Sequence, residues 1–213
     1  MTGSQPKSTM QAYIELRAED PEAVSALGVA RARLAAGKAL CALRRVRVFE
    51  LLGDLPGRER VAELLHRSTR FYNPAKERCT VRAAAAERAP FRDDEALVLV
   101  VDRGLDRRAA AERWWKHETG AKVEVREGTA WALEFEPGTD GVAAAASLAE
   151  VTDRAHGLLS NPHFQDWKPG HGALPPWPWV STKGTAGTTR RAAAKPRPGG
   201  TKGMKRMNKE GTS

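Results

Sequence analysis

The residues able to do chemistry are scattered along this chain. His163 and His171 flank Trp167, and imidazoles can bind a metal or move a proton. Two imidazoles at this spacing, with no set of cysteines or carboxylates around them, make a poor metal site. His66 and His156 fall late in predicted helices and His117 near a helix end, where the helix dipole favours a cation. Carboxylates gather at Asp93-Asp94-Glu95, in a polar stretch, and at Glu134/Glu136, on the polar side of an alternating run. Both read as solvated surface. Phosphate-binding glycine loops, HExxH and GxSxG do not occur. The sequence therefore predicts no cofactor, no metal and no active site of the chain's own.

Two stretches stand out for their order rather than their reactivity. "LLHRSTRFYNPAKERCTVR" and "LLSNPHFQDW" each follow an amphipathic run with Asn-Pro and then resume extended. Proline disfavours helix at the residue before it, and asparagine tolerates a tight turn. Asn73-Pro74 and Asn161-Pro162 are thus expected to stop a helix and send the chain back to a sheet.

The elements around them follow from periodicity. Ala12, Ile14 and Leu16 alternate with Tyr13, Glu15 and Arg17 as a strand does. Asp20-Pro21 opens a helix with an apolar stripe through Val24, Leu27 and Leu34, and Gly37 stops it. "ALRRVRVFELLG" reads as a strand, "PGRERVAELLHRSTRFYNP" as a helix and "RCTVRA" as a last extended piece. After an alanine-rich charged linker containing Pro90, the order recurs: the apolar strand "ALVLVVDRG", the helix "LDRRAAAERWWKHETG", then "AKVEVREGTAWALEFE". Here Val123 and Val125, then Trp131, Leu133 and Phe135, alternate about Glu127-Gly128, which predicts a two-stranded hairpin. A helix through "DGVAAAASLAEVTDRAHGLLSNP" and an extended "HFQDWK" complete it. The reading is α+β: two tandem ferredoxin-like, split βαβ units with antiparallel sheets, the first degenerate over 10–82, a linker over 83–95 and the second over 96–170. The Pro/Trp segment and tail occupy 171–213.

Charge separates the tail from the body. Of the formal +9, residues 181–213 carry nine cations and one anion, a net +8, which leaves +1 for the rest. That tail has no Leu, Ile, Val, Phe, Tyr or Trp and is expected to be disordered. The polar start and the short apolar runs predict neither a signal peptide nor a membrane span. Cys41 and Cys79 lack metal or redox spacing and are expected to be reduced thiols in a cytoplasmic protein.

Taken together, "VREGTAWALEFE" and the following "LLSNPHFQDW" resemble the small subunit of multi-subunit phosphoribosylformylglycinamidine synthase. The marks are Val125, Arg126 and Gly128, then Leu158, Leu159, Asn161 and Pro162, followed by Asp166 and Trp167. Asp20-Pro21, Val46-Arg47 and Asn73-Pro74 look like the corresponding marks of a first copy. Members of that family hold one short unit, whereas this chain would hold two, and the basic tail has no counterpart. The resemblance implies a non-catalytic role in purine biosynthesis: joining an ATP-dependent synthetase subunit to a glutaminase subunit and supporting ammonia transfer, with self-association as a further expectation. Arg126, Gly128, Asn161, Pro162, Trp167, Asn73 and Pro74 are the expected structural marks of the interface.

The competing reading is a nucleic-acid-binding ferredoxin-like protein. Such sheets present aromatics to single strands, and a +8 tail attracts phosphate, if only weakly and in a salt-sensitive way. Against it, no strand is rich in aromatics. Trp114-Trp115 fits either core packing or an interface, and Trp177 and Trp179 in "GALPPWPWV" either dock on the body or bind a partner.

Overall fold

A computed structural model of the chain describes residues 8–84, 86–103 and 106–175. The basic tail, Trp177 and Trp179 lie outside the described residues.

Strands β1 (Ser8–Leu16), β2 (Leu40–Gly53), β3 (Glu77–Arg82), β4 (Ala96–Asp102), β5 (Val123–Phe135) and β6 (Gln165–His171) alternate with helices α1 (Pro21–Arg33), α2 (Arg58–His66), α3 (Asp106–Thr119) and α4 (Gly141–Ala149). Where one sheet per half is expected, all six strands join in one antiparallel sheet of order β3-β1-β2-β5-β4-β6.

The predicted hairpin is absent. β5 runs unbroken through Glu127-Gly128 because β2 partners it along its whole length, with Val48 opposite Gly128 and Val46 opposite Ala130. A turn would forfeit these ladder bonds. β1 pairs only with the C-terminal half of β2, from Arg47 onward, and β4 only with β5 from Thr129 onward. Each long strand therefore begins beside one half of the molecule and ends beside the other.

The helices follow the same exchange. One cluster joins Val61, Leu64 and Leu65 of α2 to Ala111 and Trp115 of α3. Another joins Ala23 and Ala30 of α1 to Ala145, Leu148 and Ala149 of α4. Each cluster draws one helix from either half of the sequence. Trp114 and Trp115 both pack on Phe71, at 5.2 and 6.4 Å between ring centroids, so both belong to the first cluster. Residues 89–91 of the expected linker pack on the opposite face, where Phe91 meets Tyr13 edge-on at 5.6 Å over Val46, Val48, Leu97 and Leu99. The stretch is thus packed structure as well as connection.

Local signals explain the helix ends. The Asp20 side chain accepts from the Glu22 N–H at 2.9 Å with Pro21 in the first turn, as expected of a cap. Helix α1 stops at Arg33, and Gly37 serves a close approach: a Cβ there would lie 2.0 Å from the Ala30 carbonyl oxygen. Neither Asn-Pro stops a helix. Helix α2 ends at His66 and α4 at Ala149. After α4, Asp153 accepts from the Ala155 N–H, and Gly157 turns the chain at φ +81°, holding it against Val151. No helix among the described residues is long and apolar enough to cross a membrane.

Candidate functional site

Asn73 and Asn161 open the edge strands rather than closing helices, and the sheet order puts them on opposite edges, ahead of β3 and β6. Their hydrogen bonds correspond one by one. The Asn73 Oδ1 accepts from the Ala75 N–H at 3.0 Å, its carbonyl from the Glu77 N–H at 2.8 Å, and its N–H donates to Glu77 Oε2 at 2.6 Å. At the other corner, the Asn161 Oδ1 accepts from the His163 N–H at 3.0 Å. Its carbonyl accepts from the Gln165 N–H at 2.9 Å, and its N–H donates to Gln165 Oε1 at 2.8 Å. Asparagine is suited to this turn because its side chain mimics a backbone carbonyl.

An arginine locks each corner to the neighbouring strand exit. The Arg17 N–H donates to the Lys76 carbonyl at 2.8 Å, and its Nε to the Pro74 and Glu77 carbonyls. The Arg103 N–H donates to the Phe164 carbonyl at 2.8 Å, and its guanidinium to the Pro162 carbonyl and Asp166. Sequence reasoning missed Arg17 and Arg103. The available signal is that each directly follows the first strand of its half.

The surroundings differ. Glu77 also receives Arg47 at 3.1 Å, and Lys76 is exposed. At the second corner Phe164 is 51% exposed, Trp167 is half-buried against the α1/α4 cluster, and an open groove of about 480 Å³ runs past Arg103, Glu150, Val151 and Pro162.

Arg126 and Gly128 are not brought to either corner. They lie mid-strand on β5, on the face away from the helices. Arg126 reaches Glu50 on β2 and Glu124 on its own strand, both at 2.9 Å. Gln11 on β1 donates to Glu50 at 3.2 Å and accepts from Tyr13 and from Arg82 on β3. Burial pushes the Tyr13 hydroxyl above its ordinary pKa, and the nearby Arg82 guanidinium partly offsets this. This network ties four strands together. A second one centres on Arg44, which holds Glu15 at 2.5 Å, Glu95 at 3.0 Å and the Pro90 carbonyl at 3.1 Å. Asp93 and Asp94 are exposed as expected, but Glu95 is only 3% exposed, sealed by Arg44 and the Arg92 N–H. These acids serve as acceptors that fix strands and linker.

His163 sits in the second corner and His171 at the end of β6, and no group of three or more metal-binding side chains gathers among the described residues. His156 lies beyond α4 and contacts Asp153 at 2.8 Å; this holds the Asp153 carboxyl below its ordinary pKa. No known protein family, curated protein or solved structure matches the chain.

Proposed function

We propose that this chain is two ferredoxin-like units fused in tandem that have exchanged a helix and half a strand. Its proposed role is to bridge subunits of phosphoribosylformylglycinamidine synthase without catalysing a step itself. The observation that carries the reading is the pair of Asn-Pro corners, whose hydrogen bonds match bond for bond ahead of the two edge strands. The strand order β3-β1-β2-β5 supports it too, since it corresponds to a four-stranded split βαβ sheet completed by a strand of the other half. Covalent fusion supplies the second unit at high effective concentration, so a body that two chains would build is built by one. The charged networks of Arg44 and Arg126 stiffen such a body.

The test is an affinity pull-down from native cell extract at moderate salt, with and without nuclease, using the full chain and a chain ending at Val180. Recovery of the synthetase and glutaminase subunits by both chains, indifferent to nuclease, is the expected result. Recovery only of nucleic acid or its binding proteins, lost with nuclease or with the tail, overturns the bridging role in favour of nucleic-acid binding.

A further inference from the structure

The first helix of each half leaves a groove against a long strand, and the two grooves differ in charge. In the first half an opening of about 370 Å³ lies between α1 and β2, lined by Ala23, Leu27, Arg44, Arg45 and Arg78. Every cation there is engaged: Arg44 with Glu15 and Glu95, Arg45 with Asp20 and Glu22, Arg78 with Glu15. In the second half an opening of about 520 Å³ lies between α3 and the start of β5. Arg113, Lys116 and Lys122 line it, all exposed, and none makes an ion pair among the described residues. Its two acids are already committed. Glu112 accepts from the Val125 N–H at 3.2 Å, and Glu124 holds Arg126 at 2.9 Å. Three cations against two acids, one of them already paired with Arg126, leave the lining of this groove net positive.

We propose that the groove between α3 and β5 binds an acidic peptide segment of a protein partner. Three cations around one concavity, floored in part by Ala109, suit clustered carboxylates on a short peptide. The volume lies in the range of about 300–1,000 Å³ usual for ligand sites. Nucleic acid fits less well. The rings of the same helix, Trp114 and Trp115, are packed edge-on against Phe71 and not offered to bases. The inference stands on this groove alone and does not depend on the bridging role.

The test uses the full chain, so that the basic tail contributes equally to every measurement. The probe is a fluorescein-labelled peptide carrying four glutamates, read by anisotropy at low and moderate salt. Arg113→Glu/Lys116→Glu/Lys122→Glu weakens binding roughly tenfold or more. The same reversal at Arg33, Lys38 and Lys76, exposed cations elsewhere that make no ion pair among the described residues, changes it less than about twofold. Arg113→Gln/Lys116→Gln/Lys122→Gln repeats the loss without introducing repulsion and guards against misfolding of the reversal. Equal losses from both sets of sites overturn the proposal, because attraction is then a property of net charge. A uridine oligonucleotide of equal charge that binds more tightly than the peptide, and loses as much on the groove reversal, overturns the peptide in favour of nucleic acid.

Discussion

The Asn73 and Asn161 corners share backbone hydrogen bonds almost bond for bond, yet their surfaces have little in common. At the first, charged side chains surround the turn, with Glu77 held by Arg47. At the second, Phe164 stands half in solvent and Trp167 packs below. Turn geometry needs a particular side chain at one position, so it constrains the asparagine and leaves its neighbours free. The helical clusters diverge in the same way. The α2/α3 cluster is built on Phe49, Phe71, Trp114 and Trp115, whereas the α1/α4 cluster relies on alanines, leucines and one largely buried tryptophan, Trp131. One backbone plan thus supports an aromatic core at one end and a tightly approaching, alanine-lined core at the other.

Cutting each core at its centre measures that difference. Trp115 is fully buried, and Trp115→Ala is expected to cost about 3–5 kcal/mol in urea unfolding, with Leu148→Ala in the other cluster costing about 2–4. The Trp115 Nε1 donor has no partner among the described residues, so Trp115→Phe is expected to cost much less than the alanine change. Equal losses at Trp115 and Leu148 would show that the aromatic core carries no greater share of stability.

The far face offers the next largest contrast. Arg44→Met strips Glu15 and the buried Glu95 of their shared cation, for an expected loss of about 2–3 kcal/mol, reduced from the fully buried case by the partial exposure of Arg44. Arg126→Met leaves Glu50 its hydrogen bond from Gln11 and is expected to cost about half as much. Thermal unfolding of the two variants ranks them, and the reverse order removes the linker-sealing role given to Arg44.

What the sequence reveals and hides follows from range. β4 is legible because Ala96 to Val101 are all apolar and all buried, and the α1 cap because Asp20-Pro21 acts within one turn. Glu127-Gly128 misleads because a glycine in an alternating run marks either a turn or a flat strand. Only β2, far away in the chain, decides for the strand. The end of α4 is hidden for a similar reason: the apolar pattern continues through Leu158 and Leu159, which return to the cluster from an irregular segment turned by Gly157. Among the site residues, both Asn-Pro pairs are readable as turns that lead into a strand, but not as the helix ends expected of them. Their arginines are not, because Arg17 and Arg103 act across strands.

Removing the asparagine side chains sharpens the comparison of the corners themselves. Asn73→Ala and Asn161→Ala each lose one side-chain acceptor for a turn N–H and are each expected to cost about 1 kcal/mol. Unfolding midpoints that differ between the two by more than about 0.5 kcal/mol, when converted to free energy, would show that the matched geometry conceals unequal loads.

The cysteines set the smallest test, one that leaves the fold untouched. Cys41 is exposed beside the first groove, whereas burial pushes the Cys79 thiol on edge strand β3 up to about 12. Alkylation proceeds through the thiolate. Cys79 therefore stays protonated at any pH near neutral and gains reactivity only as the pH climbs toward that value. Under iodoacetamide at pH 8, mass spectrometry is expected to find Cys41 modified first, with Cys79 following only when urea opens the sheet. Equal rates for both thiols in the folded protein would mean that β3 opens readily, and that the first half holds its edge less firmly than the Arg17 lock and the Arg47–Glu77 pair imply.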